Sequence, residues 1–296
     1  QQIALREERT NTDEKNSATL TEIIAKTVLL GLALFMLSAV DYFGLGLNQA
    51  TLGAPFHQLI ISMGQAATIS FLAAKSEMTG WHLVFSLFVM YWVIVPFITA
   101  LETLIFVPEM PITALWGIVI NGAISGFAIS WLTTYVHDKW AHESDFSISQ
   151  KLGAFSIWEW IWKSVAVGAL YVLVYIASGA LLFLPIAGDA INLVYAEMEM
   201  PEWILQFQFL RGIIWALATV PILRSLKGKK WNIRLGIGIS YILLVALLVL
   251  MPGGIPVFQV LVAHFVELAI GHGLVFGVIV ATLFRKHHSI SIRRSR

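Results

Sequence analysis

The chain has 296 residues, of which 58% are apolar and only 12% charged, with a net charge of +1 and a mean hydropathy of +0.79. A soluble domain carries about a quarter charged residues, so this balance excludes a soluble enzyme, a disordered chain and a nucleic-acid-binding domain. Cysteine is absent, which removes disulfides, thiolate metal sites, thiol catalysis and haem attached through Cys.

The first 22 residues are polar and mixed in charge, which predicts a polar tail and no cleavable signal peptide there. Hydrophobic stretches follow at about 24–45, 55–74, 81–105, 111–136, 159–187, 201–223, 235–251 and 256–284. At roughly 20 residues per span, eight fit the length. In lipid each must satisfy its own backbone, which means helix. Gly53, Pro55, Pro108, Pro111, Pro201, Pro252 and Pro256 mark the breaks. The prediction is an all-α integral membrane protein of eight transmembrane helices. It divides into an N-tail (1–22), a four-helix repeat (23–136), a linker loop (137–158), a second four-helix repeat (159–284) and a basic C-tail (285–296).

Every Lys and Arg except Arg211 falls in the tails, in the loops near 75–80, 137–158 and 224–234, or at helix ends beside them. The alternate loops hold none, and carry Asp41, Glu102, Glu109, Asp189, Glu197, Glu199 and Glu202 at or near their edges. By the positive-inside rule both termini are cytoplasmic. The expected location is a plasma (inner) membrane.

The two halves share a pattern. Glu22, Lys26 and Gly31 line up with Glu159, Lys163 and Gly168, and Thr19 and Ser156 each stand where a capping box would start a helix. Further on, Pro55 matches Pro201, Trp81 matches Trp231, and Asn121-Gly122 with Gly126 match His272-Gly273 with Gly277. The order is the same throughout, which predicts a duplication of four helices. Because four is even, the copies run parallel, related by an axis along the membrane normal.

Arg211 lies ten residues past Pro201, so roughly 15 Å deep at about 1.5 Å per residue. An Arg near the midplane costs at least about 2.5–3.5 kcal/mol and needs a partner. Glu267, at matched depth on the last helix, is the expected one, with Gln208 sharing the Arg211 face. His264, Glu267 and His272 form a second group. At about 100° per residue, Glu267 lies about 60° to one side of His264 and His272 about 80° to the other. All three can look into one cavity, though Glu267 and His272 are too far apart around an α-helix to share a metal alone. Gln65, on the second helix, and Asn121, the repeat equivalent of His272, are the expected neutral contributors. Glu102 is expected near the outer headgroups. The run from His137 to Glu143 reads as a solvated loop.

The pairs Gly122/Gly126 and Gly273/Gly277 allow close helix approach and predict that the fourth and eighth helices pack together. No nucleotide, hydrolase or zinc-protease signature appears, so no catalytic residue, metal or cofactor is expected. The expected partners are the bilayer, a small solute or ion, and other membrane subunits, without nucleic acid. Two functions fit: a secondary transporter or ion- or proton-coupled permease with a polar site between the repeats, or a non-catalytic subunit or scaffold of a larger membrane complex.

Overall fold

A computed structural model describes residues 21–38, 54–107, 109–140, 155–196, 200–251 and 255–285. Most of the polar N-tail, the end of the first hydrophobic stretch, residues 141–154 of the linker and nearly all of the basic C-tail lie outside these. Among the described residues the fold is all-helical. Its long helices are α1 (Thr21–Ser38), α2 (Ala54–Lys75), α3 (Gly80–Phe106), α4 (Ile112–Val136), α5 (Ile157–Tyr195), α6 (Ile204–Ser225), α7 (Lys230–Leu250) and α8 (Phe258–Phe284).

Seven of these helices are long and apolar enough to cross a membrane. The exception is α2, which has 22 residues. It is more polar for a packing reason. Ser62, Gln65, Thr68 and Ser70 are buried against protein, not lipid. The Thr68 hydroxyl donates to the Ser240 carbonyl on α7 at 3.5 Å. Helix α5 starts on the capping box expected from sequence: the Glu159 amide donates to Ser156 Oγ at 3.2 Å, and the Ser156 amide donates to Glu159 Oε2 at 2.9 Å. The equivalent Thr19 lies outside the described residues. At its far end α5 breaks at Gly188, whose φ of +50° only glycine adopts readily. A 3-10 turn (Gly188–Ile191) and a short helix (Asn192–Tyr195) follow.

Contacts in the first four helices have counterparts in the last four. Gly31 of α1 abuts Met63 of α2, and Gly168 of α5 abuts Phe209 of α6. The Tyr91 hydroxyl on α3 donates to Gln65 on α2 at 3.1 Å. The Tyr241 hydroxyl on α7 donates to the Trp215 carbonyl on α6 at 3.0 Å. Between the halves, α3 packs on α6 and α2 on α7. The α2–α3 and α6–α7 turns meet in a single antiparallel bridge at Ser76 and Leu226. There the Glu77 amide donates to the Ser225 carbonyl at 2.8 Å and the Lys227 amide donates to the Lys75 carbonyl at 2.9 Å. The same offset along the chain links Lys75 to Ser225 and Glu77 to Lys227, so one bond is the other with the halves exchanged.

The expected packing of α4 on α8 through their glycines is replaced by packing inside each half. A Cβ on Gly122 would fall 2.2 Å from Pro96 of α3, and one on Gly126 would fall 2.8 Å from Tyr91. Gly273 and Gly277 instead face Ile242 and Gly238 of α7. The small residues do permit close approach, but to the sequence neighbour, because a short connection makes that helix the available antiparallel partner.

His137 is not in a solvated loop. It caps α4, half-buried, with Nε2 2.8 Å from Ser70 Oγ, and that hydroxyl accepts from Thr27 Oγ1 at 3.0 Å. Burial first, then the positive charges of Lys26 and Lys139, push the imidazole down to about 4, so it is neutral at physiological pH. His137 thereby ties α1, α2 and α4 together at this end of the bundle.

Candidate functional site

A cavity of about 850 Å³ lies among α3, α5, α6, α7 and α8. It occupies the half of the bundle that holds the C-terminal ends of α3, α5 and α7 and the N-terminal ends of α6 and α8. Four of its five walls depart from α-helical geometry along the cavity. There are π-helical turns at Val93–Phe97 in α3, Gly179–Phe183 in α5 and Leu268–Val275 in α8, and a 3-10 turn at Ala246–Leu250 in α7. Ile94, Gly179, Phe183, Leu248, Leu268 and His272 from these turns all line it. Pro96 accounts for the first, since it lacks the N–H that an α-helical ladder needs there. Irregular backbone at membrane depth is tolerated where it is buried or lines a cavity, and π turns recur at functional sites.

The π turn of α8 changes the chemistry. In an α-helix Glu267 and His272 would diverge, as the sequence spacing implies. A π turn closes i to i+5, which brings the two onto one face, with His272 Nε2 3.9 Å from Glu267 Oε1. The other carboxylate oxygen lies 3.1 Å from His264 Nδ1. His264 Nε2 lies 2.6 Å from the Tyr195 hydroxyl, and His272 Nδ1 lies 2.7 Å from the Tyr171 hydroxyl. The result is one chain of ionisable groups, Tyr195–His264–Glu267–His272–Tyr171, running from the cavity wall into the core. Every junction but the Glu267–His272 gap is a hydrogen bond.

Arg211 is buried and lines the same cavity, but its counterion is Glu102. Nη1 donates to Glu102 Oε1 in a short charge-assisted bond. Glu267 is therefore not the partner of Arg211; Glu102 is. The guanidinium also sits 4.3 Å above the Trp215 ring and 5.8 Å from that of Tyr171, a cation–π arrangement. The rest of the Arg211 guanidinium is less well served, for Nε has no acceptor. Gln208 lines the cavity without taking an Arg211 proton, and its Oε1 is buried without a partner, as are Trp215 Nε1 and His272 Nε2. Buried polar atoms of this kind cost about 1–3 kcal/mol each, and here four of them gather at one cavity.

Beneath the cavity Tyr171, Trp215, Tyr241 and Phe276 are fully buried and meet edge to face. The edge-to-face pairs have centroid separations from 4.6 Å for Tyr171–Phe276 to 5.8 Å for Tyr241–Phe276, and Trp215 and Phe276 are tilted at 6.3 Å. This aromatic floor separates the polar groups from the opposite end of the bundle.

The structure thus brings Arg211, Gln208, His264, Glu267 and His272 to one place and leaves two expected residues out. Gln65 is buried and accepts from Tyr91, and Asn121 sits half-buried on α4; neither lines the cavity. Glu102, Tyr171 and Tyr195 were not singled out as site residues. A signal for Glu102 was present: it is a carboxylate inside an apolar span, at the end of the bundle where Arg211 enters. Among the described residues no group of three His, Asp or Glu side chains is placed to hold a metal ion.

Fold and site together define a class: a multi-pass helical membrane protein with a buried ionisable cluster beside a cavity. Comparison with protein-family models, curated proteins and solved structures finds no match to the chain.

Proposed function

We propose that this protein is a secondary transporter or proton-coupled permease, built of two parallel four-helix repeats with eight spans and both termini cytoplasmic. The observation that carries the reading is the Tyr195–His264–Glu267–His272–Tyr171 chain on the π turn of α8, beside a cavity of about 850 Å³. Histidine gains and loses protons near neutral pH, and an intramembrane carboxylate between two imidazoles can hold a proton in one state of a cycle and release it in another. The aromatic floor is then the closed gate of an outward-facing state. The duplication is supported by the paired turns at Ser76 and Leu226 and by the matched Gly31–Met63 and Gly168–Phe209 contacts.

One observation favours a scaffold instead. The Arg211–Glu102 pair joins α6 to α3 and needs no ligand to neutralise it, as a register-fixing charge pair would. Purified protein in liposomes containing a pH-sensitive dye separates the two. Some member of a solute panel should drive proton movement, and Glu267→Gln and His272→Ala should abolish it. If no solute moves protons and both variants keep the protein's cellular role, the scaffold reading stands.

Orientation has its own test on this Cys-free background. Asp189 is exposed at the cavity end, and Asp189→Cys should react with an impermeant maleimide on intact cells. Labelling only after membrane rupture would reverse the topology.

A further inference from the structure

We infer that the cavity binds a lipophilic organic monocation, an amine or quaternary onium of drug-like size, with Glu267 as its counter-charge. The inference rests on the transport reading of this same cavity and adds the charge and character of the cargo.

The argument begins with charge. Among the described residues, the only Asp, Glu, Lys or Arg side chains lining the cavity are Glu102, Arg211 and Glu267. Arg211 is committed to Glu102, so with neutral imidazoles the cavity keeps one carboxylate, Glu267, without a cationic side chain. An anion on Arg211 would have to displace Glu102 and approach Glu267 as well. A buried carboxylate in a low-dielectric site is stabilised by either a proton or a bound cation. The two are therefore exclusive, which is the coupling a proton-for-cation exchanger needs.

Walls and mouth agree. Tyr175, Phe183, Tyr195 and Phe106 line the cavity, and aromatic faces attract organic cations while excluding water. Ile98, Leu184 and other apolar side chains supply most of the remaining wall, which suits a greasy ion and not a hydrated metal cation. The exposed residues at this end include Glu109, Asp189 and Glu202, and the α3–α4, α5–α6 and α7–α8 connections carry no Lys or Arg. A mouth of one sign raises the local concentration of the opposite ion.

Among the described residues the ionisable groups around Glu267 are His264 and His272 from its own helix, Tyr171, Tyr175 and Tyr195 on α5, Arg211 on α6 and Glu102 on α3; the α7 side chains lining the cavity are apolar. Protonating Glu267 removes its negative charge, and protonating either imidazole offsets it. Cation binding should therefore weaken as pH falls.

Tetraphenylphosphonium and tetraphenylborate share a shape and differ in the sign of their charge, so the test titrates each separately into protein held in lipid nanodiscs. Saturable binding is expected for tetraphenylphosphonium alone, weaker at lower pH, and reduced at least about tenfold by Glu267→Gln, as for loss of a buried counter-charge. The charge-neutral double variant Glu102→Gln/Arg211→Gln retains Glu267 and should bind tetraphenylphosphonium within a few-fold of wild type. That variant and the pH series decide the matter if Glu267→Gln does not fold. Saturable binding of tetraphenylborate, absence of saturable tetraphenylphosphonium binding, indifference to a folded Glu267→Gln, or loss of binding in the double variant overturns the inference. Cation binding without proton movement in liposomes would instead sink the transport reading and leave the cation site standing. Proton-linked flux of another solute without cation binding would do the reverse.

Discussion

Gly277→Val should abolish the folded state, or lower its stability by more than the roughly 1–3 kcal/mol usual for an overpacked core. A Cβ at Gly277 would lie 2.7 Å from the Gly238 Cα and 3.0 Å from both the Gly238 nitrogen and the Ile237 carbonyl oxygen. These are backbone atoms of α7, which cannot rotate aside, so relief requires separating α7 from α8. Gly273→Leu should follow closely, its Cβ meeting Ile242 Cγ1 at 2.6 Å and the Ile242 Cα at 3.0 Å. Separating those helices also moves the π turn that holds Glu267 and His272 together. A glycine in a looser place is the control: a Cβ at Gly179 meets only Glu267 Oε1, at 3.9 Å, so Gly179→Ala should fold normally. Thermal unfolding of the purified variants in detergent measures all three. A Gly277→Val protein that unfolds at the wild-type temperature would refute the α7–α8 packing.

Glu102→Gln should destabilise the protein more than Glu267→Gln. Depth in the sequence suggests the opposite ranking, because Glu267 sits at the depth of Arg211. The structure reverses it, since Glu102 is the counterion of Arg211. Neutralising Glu102 leaves a buried guanidinium uncompensated, at about 3 kcal/mol. Neutralising Glu267 leaves an amide oxygen still able to accept from His264, at about 1 kcal/mol. Adding Arg211→Gln to Glu102→Gln should recover most of the loss, because no orphaned charge remains. A double-mutant cycle on unfolding free energies reads the pair energy directly. Additive single effects would show that Arg211 and Glu102 do not depend on each other.

Much of the architecture is legible from composition and order. An apolar chain in lipid has one way to satisfy its backbone over runs of this length, so the helices and their Gly and Pro boundaries follow from the residues. Capping at Ser156 is equally local, needing only Glu159 three residues on. The depth of Arg211, Glu267 and His272 could be counted along each helix, because the rise per residue is fixed.

What depth cannot supply is rotation and partner choice, and these lay in the tertiary structure. Arg211 went to Glu102 because a long side chain reaches along as well as across the bundle, and α3, not α8, presents a carboxylate to it. Gly122 and Gly273 went to the preceding helix of their own half, a choice fixed by connectivity and shape. Gln65 turned to Tyr91 and left the cavity. The largest departure is the π turn at Leu268–Val275. The angular positions expected for Glu267 and His272 are those of an α-helix, whose period is a local property. The wider turn that brings them together is held by packing against α5 and α7. Sequence by itself determined that ionisable groups are buried in this membrane bundle. Only the assembled helices decided which of them face each other, because hydrogen-bond distance depends on how neighbouring helices are rotated and bent, and no single helix encodes that.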